Sequence, residues 1–154
     1  MRYIEYNTTL YACLTITTTS MRRTTESHSD ADGNVFTKQY LYGTKSMDGD
    51  ETEHDAQGRL VFLQQWENGE EHGMFQRWRI VNGRRRLVHR CVFRRGKEHG
   101  RECEWYVGGA MLIERNWNDG KLHGPLTIWT PERRVVLRQQ WENGVRAAHQ
   151  DFVL

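Results

Sequence analysis

Proline and long apolar runs are scarce in this chain of 154 residues, and each scarcity excludes a class of protein. Only two prolines occur beside fourteen glycines and six tryptophans, which favours short strands joined by tight turns. No apolar run is long enough to predict a membrane span. The N-terminal stretch MRYIEYNTTLYACLTITTTSMRR is partly apolar, but threonine interrupts it, and it lacks the core and cleavage site of a secretory signal.

Cysteine is also scarce, with Cys13, Cys91 and Cys103 as the three examples. An odd number without regular spacing argues against a disulfide framework, so a reducing, intracellular compartment, the cytoplasm, is the expected location. Residues 1–58 hold five Lys or Arg against nine Asp or Glu, whereas residues 59–154 hold seventeen against eleven. The basic second part would favour an anionic partner, although its excess of charge is small.

Aromatic residues recur at a fixed interval, which indicates internal repeats. Steps of twelve residues, broken by one step of fifteen after Trp78, run through Trp66, Trp78, Phe93, Trp105, Trp117, Trp129 and Trp141, and backward from Trp66 to His54 and Tyr42. The long step contains the Arg-rich stretch NGRRR. Because the segments between these positions alternate in character, the full unit has 24 residues and two aromatic positions.

The segments between the aromatic positions predict β-hairpins. Strands are expected at residues 60–66 and 74–79, for example, and Asn-Gly, Asp-Gly and Gly-Gly supply the positive φ that tight turns need. Strand alternation predicts that all aromatic positions share one packed face with Phe62, Cys91 and Cys103. The opposite face, with Val61, Leu63, Leu126 and Ile128, is expected to be half exposed to water.

Three copies of one motif lie in register along the chain. They consist of Gly69, His72, Gly73 and Trp78, then Gly96, His99, Gly100 and Trp105, then Gly120, His123, Gly124 and Trp129. These residues resemble the MORN repeat family, in particular its variant in bacterial and large-virus proteins. Asn143-Gly144 begins a fourth copy without His-Gly, and Asp48-Gly49 belongs to a degenerate early copy. The resemblance implies an all-β fold, an elongated single-layer antiparallel sheet of consecutive β-hairpin repeats with a period of 24 residues.

Two regions are expected from this pattern. Residues 34–154 form the MORN-like repeat domain, and residues 1–33, which match no repeat, form an N-terminal capping strand and a flexible linker. The capping strand is expected in LYACLTITTT, and the linker in SMRRTTESHSDADG, which has no large apolar residue after Met21. The C-terminal HQDFVL is expected to be a short final strand with an open edge, which predicts an edge-to-edge homodimer.

Chemical functions find little support in the sequence. His72, His99 and His123 would be spaced one per hairpin, about 9.5–10 Å apart, so they cannot share one metal ion and are expected to serve within their own turns. Cys91 and Cys103 are better explained as small buried side chains than as metal ligands. No nucleophile, base and orienting group come together, and no phosphate-binding loop occurs. We therefore expect a protein that is not an enzyme, with no catalytic residue, no metal and no cofactor.

Arginine clusters are the other chemical feature. Arg84, Arg85 and Arg86 and the pair Arg133 and Arg134 are expected in turns along one edge of the sheet, with Arg94 and Arg95 on the other edge. Such clusters could bind nucleic acid or acidic lipid headgroups, or they could only keep the sheet soluble.

Several functions remain open at this point. The first is a non-catalytic scaffold or protein-interaction module, whose partner-binding candidates are the repeated tryptophans Trp66, Trp78, Trp105, Trp117, Trp129 and Trp141. The second is binding of acidic lipid headgroups or nucleic acid through the arginines, which would make the protein peripheral to a membrane in the lipid case. The resemblance adds a third, an antitoxin-like or virus-encoded accessory or virion protein, located in the host cell if viral.

Overall fold

The described part of the chain folds as one antiparallel sheet. The computed structural model describes residues 15–18 and 23–147, where every regular element is a strand and no helix could cross a membrane. In chain order the strands are β1 (Thr15–Thr18), β2 (Arg23–Ser29), β3 (Val35–Leu41), β4 (Gly49–His54), β5 (Leu60–Glu67), β6 (Glu70–Val81), β7 (Arg84–Arg94), β8 (Lys97–Glu98), β9 (Gly100–Trp105), β10 (Met111–Asn118), β11 (Lys121–Leu122), β12 (Gly124–Trp129), β13 (Val135–Glu142) and β14 (Val145–Arg146).

Apart from the short strands β8 and β11, each strand pairs with the next along the chain. The short strands β8 and β11 pair with β7 and β10, whose other neighbours are β9 and β12. The predicted all-β fold, an antiparallel sheet of consecutive hairpins, is therefore confirmed. Seven described side chains are buried, and four of them are polar, namely Asp48, Gln64, Glu102 and Thr127. A single layer of strands leaves little room for an apolar core, so polar side chains fill part of the interior.

One edge of the sheet carries two-residue turns, and we call it the short-turn edge. Its turns are Asn68-Gly69, Arg95-Gly96, Asp119-Gly120 and Asn143-Gly144. Both residues of each turn have positive φ, for example 50° at Asp119 and 79° at Gly120, as a type I′ turn requires. The predicted use of these dipeptides is confirmed, because this turn matches the twist of the strands that it joins.

The opposite edge carries longer turns, and we call it the long-turn edge. Four turns share one pattern, in which the first residue donates its N–H to the carbonyl of the fifth: Asp30–Asn34, Asp55–Arg59, Tyr106–Ala110 and Thr130–Arg134. The fourth residue has positive φ and is glycine in three of the turns but Arg133 in the last, with φ of 65°. A fifth connection at this edge, Asn82-Gly83, is instead a two-residue turn.

The hairpin that ends in the Asn82-Gly83 turn contains the three extra residues of the fifteen-residue step from Trp78 to Phe93. These residues lengthen β6 and β7 into the longest hairpin of the sheet, in which Val81 pairs with Arg84 and Ile80 with Arg85. Arg84, Arg85 and Arg86 therefore begin a strand, and their predicted location in a turn is wrong. They still lie at the same edge as Arg133 and Arg134, while Arg95 lies in a turn of the short-turn edge.

Backbone hydrogen bonds link the successive turns of the short-turn edge. The turn glycine of one hairpin donates its N–H to a carbonyl of the preceding hairpin, over 2.7 to 2.9 Å. The pairs are Gly69 with Met47, Gly96 with Glu71, Gly120 with Glu98 and Gly144 with Leu122. In each pair the acceptor directly precedes His72, His99, His123 or, in the early copy, Asp48. Every hairpin is therefore fixed to its predecessor.

The two faces of the sheet can be defined from Glu102 and Cys103, which are neighbours on β9 and so point to opposite sides. Paired residues share a face, which assigns Phe62, Phe75, Cys91, Arg115 and Leu126 to the Glu102 face. The same registers assign Leu63, Gln76, Arg90, Glu114 and Thr127 to the Cys103 face.

The aromatic positions alternate between these faces, so the predicted single aromatic face is wrong. Trp66, Phe93, Trp117 and Trp141 lie on the Glu102 face near the short-turn edge, whereas Trp78, Trp105 and Trp129 lie on the Cys103 face near the long-turn edge. Successive strand residues point to alternate faces. A step of twelve residues crosses one turn and an odd number of strand positions, so it ends on the opposite face. Leu126 and Ile128, expected on the opposite face from the tryptophans, share their face with Trp117.

The two cysteines of the repeats are a related correction. They lie on neighbouring strands, but Cys103 pairs with Arg90 rather than with Cys91, so the two thiols are on opposite faces. Both are buried and free, as expected of small interior side chains. Burial, together with the nearby charge of Glu102, raises the pKa of the Cys91 thiol to about 12, and burial also raises that of Cys103. Neither thiol is thus a reactive thiolate near neutral pH.

The N-terminal region departs from the prediction of a linker. Residues Arg23–Ser29 form β2, which pairs with β3 over seven residues, so the flexible linker is wrong for this stretch. The predicted boundary between residues 33 and 34 lies inside the hairpin turn Asp30–Asn34. Strand β1 occupies the first place in the sheet, within the predicted capping strand. The rest of that prediction, and the final strand HQDFVL, lie outside the described residues.

Candidate functional site

A line of tryptophans and aliphatic side chains crosses the Cys103 face beside the long-turn edge. Trp78 pairs with Leu87, Trp105 with Met111 and Trp129 with Val135, and all six side chains are half-buried. We call Trp78, Trp105 and Trp129 the tryptophan row. A one-residue bulge lies beside each pair. The register shifts between Arg77 and Trp78, between Met111 and Ile113, and between Ile128 and Trp129. Bulges of this kind re-aim side chains at the rim of a sheet.

The indole N–H groups distinguish this row from the tryptophans of the other face. On the Glu102 face, Trp66 donates to Glu51 over 3.1 Å, Trp117 donates to Glu102, and Trp141 donates to Gln139 over 3.2 Å. Across residues 23–147, the indoles of Trp78, Trp105 and Trp129 donate to no protein atom. The tryptophan row therefore presents apolar rings together with unused donors.

A shallow pocket separates two tryptophans of the row. It has a volume of about 390 Å³ and is lined by Trp105, Gly109, Ala110, Met111, Glu114, Trp129 and Arg133. Its acidic residue, Glu114, is paired with Arg101 over 2.7 Å, which neutralises the charge on the pocket wall. Arg133 is different, because it forms no ion pair in the part of the chain that the structure describes. The pocket thus combines two indole rings with one available guanidinium.

Arg133 occupies a backbone position that glycine fills elsewhere. Its φ of 65° is matched by Gly33, Gly58 and Gly109 in the three equivalent turns. A left-handed conformation costs a residue with a Cβ atom about 1–2 kcal/mol. The chain therefore keeps a strained arginine beside the pocket where glycine would be unstrained, and such strain is often found at functional positions.

The remaining arginines of this edge differ in whether they contact the row. The guanidinium of Arg85 lies 4.8 Å from the centroid of Trp78, a cation–π contact, and also donates to the carbonyl of Leu60 over 3.4 Å. Arg84, Arg86 and Arg134 are exposed and, among the described residues, form no ion pair. The registers place Arg85 on the face of the row and Arg84 and Arg86 on the Glu102 face. Of the predicted anion-binding arginines, the structure therefore brings Arg85 and Arg133 beside the predicted partner-binding tryptophans, an arrangement that sequence reasoning did not anticipate.

The Glu102 face contains a buried ionic cluster that the sequence analysis missed. Glu102 is 3% exposed and accepts hydrogen bonds from His89 Nε2 at 2.6 Å, from Arg115 Nε at 2.6 Å and Nη2 at 2.8 Å, and from the Trp117 indole. Arg115 also reaches Glu104 at 3.2 Å and lies 5.4 Å from the Trp117 ring centroid. The neighbouring rings of Phe62, Phe75 and Phe93 contact one another edge to face around Phe75.

Hydrogen bonding keeps Glu102 ionised. Burial alone raises the pKa of its carboxyl, but donors on Arg115, His89 and Trp117 outweigh burial and lower the pKa to about 2. The hydrogen bonds that Arg115 donates to Glu102 raise the pKa of the Arg115 guanidinium in turn. A carboxylate held in this state cannot donate a proton near neutral pH, so the cluster is suited to positioning side chains rather than to general acid catalysis.

The same cluster contains a potential set of metal ligands. One ligand atom each from His89, Glu102 and Glu104 lie within 4.8 Å of one another. However, Arg115 already bridges Glu102 and Glu104, so a metal ion would have to displace a guanidinium from both carboxylates. The geometry therefore fits an internal ion pair better than a metal centre.

The three repeat histidines lie along the short-turn edge. His99 Nδ1 is 3.3 Å from Asp119, and His123 Nδ1 accepts from the Asn143 N–H over 3.4 Å, so both contact the turn of the following hairpin. His72 is instead 3.3 Å from Glu67 of its own hairpin. The expectation that each histidine serves its own turn thus describes His72 alone. Gly73, Gly100 and Gly124, which follow the histidines, have φ from 78° to 94°.

The ionic cluster has a signal in the repeat that could have revealed it. Two residues after the repeat glycines Gly73, Gly100 and Gly124 stand Phe75, Glu102 and Leu126. Two residues before the aromatic positions stand Gln64, Cys91, Arg115 and Gln139. Glu102 is the charged residue of the first series, and Arg115 is that of the second. They lie on the neighbouring strands β9 and β10 and carry opposite charges. Alignment of the copies would have identified Glu102 and Arg115 as a compensating pair.

Comparison with known proteins adds no relative to this description: no protein-family model matches the chain, and no curated protein matches it significantly. The resemblance to MORN repeats therefore depends on the Gly, His-Gly and aromatic positions themselves. The functional argument depends on the geometry of the tryptophan row, its pocket and its arginines.

Proposed function

We propose that this protein is a non-catalytic protein-interaction module of the MORN-repeat kind, and that it docks a partner protein on the tryptophan row. The observation that carries the proposal is the unequal use of the indole donors. The tryptophans of the Glu102 face donate to side chains of the chain itself, while those of the row donate to none in the part of the chain that the structure describes. Half-buried tryptophan with an unused donor is the residue type that dominates binding energy at protein interfaces.

The surroundings of the row support a protein partner. Apolar side chains from Leu87, Met111 and Val135 alternate with the tryptophans, and the exposed Arg85 and Arg133 lie beside them. An apolar centre with a polar rim and an enrichment in tryptophan and arginine is the common composition of protein interfaces. The long-turn edge adds Val107, which is 49% exposed, to this surface.

Chemical cross-linking in an extract of the source cells, followed by identification of the linked peptides, tests the proposal. We expect cross-links from one partner protein to the long-turn edge, which Trp129→Leu abolishes and Trp141→Leu retains. The two substitutions are matched, because each removes the last tryptophan of its own face. If a folded Trp105→Leu/Trp129→Leu double variant keeps every partner, the tryptophan row is not the interface.

A second candidate function is binding of an acidic lipid surface or nucleic acid through Arg84, Arg85, Arg86, Arg133 and Arg134. It is favoured by the location of these arginines along one edge, where none of the five forms an ion pair among the described residues. Arg84 and Arg86 lie next to the Arg85 and Trp78 stack. Arginine beside tryptophan is also the composition of surfaces that bind single-stranded nucleic acid.

Salt dependence separates this candidate from the first. Binding to vesicles that contain phosphatidylserine, or to a thymidine oligonucleotide, should weaken steeply as the salt concentration rises. An Arg84→Ser/Arg86→Ser variant should lose most of that binding, whereas Arg95→Ser at the opposite edge should not. Absence of binding at low salt would eliminate this candidate and leave the first one standing.

A further inference from the structure

The spacing of the tryptophan row matches one particular peptide conformation. Trp78 lies on β6, Trp105 on β9 and Trp129 on β12, with β7 and β10 between them. Alternate strands in a sheet are about 9.4–9.8 Å apart. A polyproline II helix completes a turn in three residues of about 3.1 Å each, or about 9.3 Å. Each tryptophan can therefore meet every third residue of a peptide that runs across the strands.

The unused indole donors suit the same conformation. A polyproline II segment has no internal hydrogen bonds, so its carbonyl groups remain available as acceptors. Proline-rich ligands characteristically dock in grooves that aromatic side chains line. The row offers three indole N–H groups at the required interval, none of which donates to a protein atom within residues 23–147.

The pocket between Trp105 and Trp129 suits a proline ring. Both walls are indoles, and Met111 and Ala110 complete an apolar lining. Because a proline ring is apolar, rigid and without a donor, burial there leaves no polar group unsatisfied and costs little conformational entropy. Trp78 offers less apolar area, because the guanidinium of Arg85 covers its ring.

Charge completes the description of the partner. Residues 79–86 contain four arginines, residues 130–134 contain two arginines and one glutamate, and residues 105–111 between them contain no charged residue. The registers place Arg85 on the face of the row and Arg79, Arg84 and Arg86 on the Glu102 face. The row is thus apolar in the middle and has one arginine near each end, Arg85 and Arg133. Arg85 beside Trp78, and the strained Arg133 beside the pocket, are placed to receive carboxylates that flank the docked segment.

We propose that the tryptophan row binds an extended proline-rich segment of a partner protein that carries acidic residues at its ends, with a proline between Trp105 and Trp129 and a carboxylate on Arg133. This inference rests on the proposed function and names its partner class. A nucleic acid is less well matched, because its successive bases are closer together than the indoles, and stacking on Trp78 would require displacement of Arg85.

Fluorescence anisotropy with a labelled peptide tests the inference. The probe is a run of nine prolines, about 28 Å in the polyproline II form, with two glutamates at each end. Control peptides replace the prolines with glycine and serine, or the glutamates with lysine. We expect the acidic proline peptide to bind best. Trp129→Leu should weaken its binding by about tenfold or more, as loss of an interface tryptophan does, while Trp141→Leu changes it by less than about twofold.

The charge contact has its own matched pair of variants. Arg133→Gly should weaken binding of the acidic peptide and leave that of an uncharged proline peptide unchanged. Arg95→Asn removes an arginine of similar positive φ from the opposite edge and should change neither. Circular dichroism confirms folding of each variant. If Trp129→Leu does not fold, Trp129→Phe, which keeps a ring but lacks the donor, should show an intermediate loss of affinity.

Several results would overturn the inference. They are failure of the wild-type protein to bind the acidic proline peptide, equal affinity for the glycine-serine peptide, equal losses in the Trp129 and Trp141 variants, or tighter binding of a thymidine oligonucleotide to the same row. If the peptide fails while cross-links still place a partner protein on the row, the inference falls and the proposed function stands. Loss of both would reject the two together.

Discussion

The two faces of this sheet use the same repeated tryptophan in different ways. On the Glu102 face the indoles of Trp66, Trp117 and Trp141 donate to nearby side chains, and one of these acceptors belongs to a buried ion pair. On the Cys103 face, the indoles of the row donate to no protein atom among the described residues, and those of Trp105 and Trp129 line a shallow pocket. A repeat that places one aromatic residue on each face can therefore stabilise the sheet with one and present the other to a partner.

The difference has a physical origin in the polar neighbours. Glu51, Glu102 and Gln139 lie beside the tryptophans of the first face and accept from their indoles. The row has Leu87, Met111 and Val135 as its cross-strand neighbours, and these side chains offer no acceptor. Stability and binding should therefore respond separately to substitutions on the two faces.

The largest effect is expected at Glu102. Glu102→Gln removes the buried counter-ion of the half-buried Arg115 and leaves it only the longer contact with Glu104. Loss of one member of a buried pair typically costs about 3–5 kcal/mol, and we expect a loss toward the lower end of that range. Glu104→Gln is the matched control, because Glu104 is more exposed and receives a single contact from Arg115 at 3.2 Å. Urea unfolding followed by tryptophan fluorescence measures both variants. Equal losses would show that the Glu102 face does not depend on this ion pair.

Acid should remove the same contribution. The pKa of Glu102 is about 2 in the folded chain against an ordinary value of 4.5, so its stabilisation is complete above about 4.5 and is lost as the pH falls toward 2. The expected loss is about 3 kcal/mol of unfolding free energy. The lowered pKa values of Asp30, Asp55 and Asp119, each set first by a side-chain hydrogen bond, act in the same direction.

The acid prediction is checked by comparing wild type with Glu102→Gln across this range, since the aspartates contribute equally to both chains. The wild-type curve should fall more steeply between pH 4.5 and pH 2. Parallel curves would mean that Glu102 has an ordinary pKa in the folded state.

Removal of the indole donor alone should distinguish the faces more finely. Trp117→Phe removes the hydrogen bond that the indole donates to the ionised Glu102. Trp105→Phe removes no hydrogen bond to a protein acceptor in the described chain. A hydrogen bond to a charged group contributes about 1.5–3 kcal/mol, so Trp117→Phe should be the more destabilising change by about that amount. Thermal unfolding of both variants measures the difference. Similar losses would mean that the two indoles are equivalent.

The smallest effect is expected at the strained turn of Arg133, where substitution should stabilise the folded chain. Arg133→Gly should stabilise the chain by about 0.5–1 kcal/mol, because relief of the left-handed backbone is partly offset by the greater freedom of glycine in the unfolded state. Gly109→Ala in the equivalent turn is the reciprocal test and should destabilise, although no atom lies within 4 Å of the added Cβ. Differential scanning calorimetry resolves both shifts. A destabilised Arg133→Gly would show that the arginine side chain supports the fold.

Local turn chemistry made much of the fold predictable. Asp119-Gly120 and Asn143-Gly144 require positive φ at both residues wherever they join two strands, so the hairpins and their order followed directly from the sequence. The strand β2 was missed because its sequence RTTESHS has no large apolar residue. In a single-layer sheet a strand needs few such residues: Ser27 bonds Thr37 across the strands, and His28 stacks on Phe36.

Side-chain placement was less predictable than the hairpins. The faces of Trp78 and Cys103 depend on how many strand positions separate one turn from the next, and one-residue bulges such as that beside Trp78 are not visible in the aromatic spacing. The Glu102 and Arg115 pair was missed because a glutamate among strand residues resembles an exposed side chain. Its burial is compensated by donors on two other strands, His89 on β7 and both Arg115 and Trp117 on β10, which only the assembled register brings together.

The alternation of aromatic positions also limits how such a chain can change in length during evolution. A duplication or deletion of 24 residues returns every later side chain to its own face and edge, so the pocket, the ion pair and the linked turns could be copied intact. A change of twelve residues would exchange the faces of everything that follows and reverse the direction of each later strand. Genes for sheets of this kind should therefore grow and shrink by pairs of strands, and three-residue insertions like the one at Asn82-Gly83 should collect at hairpin ends, where they only lengthen two strands.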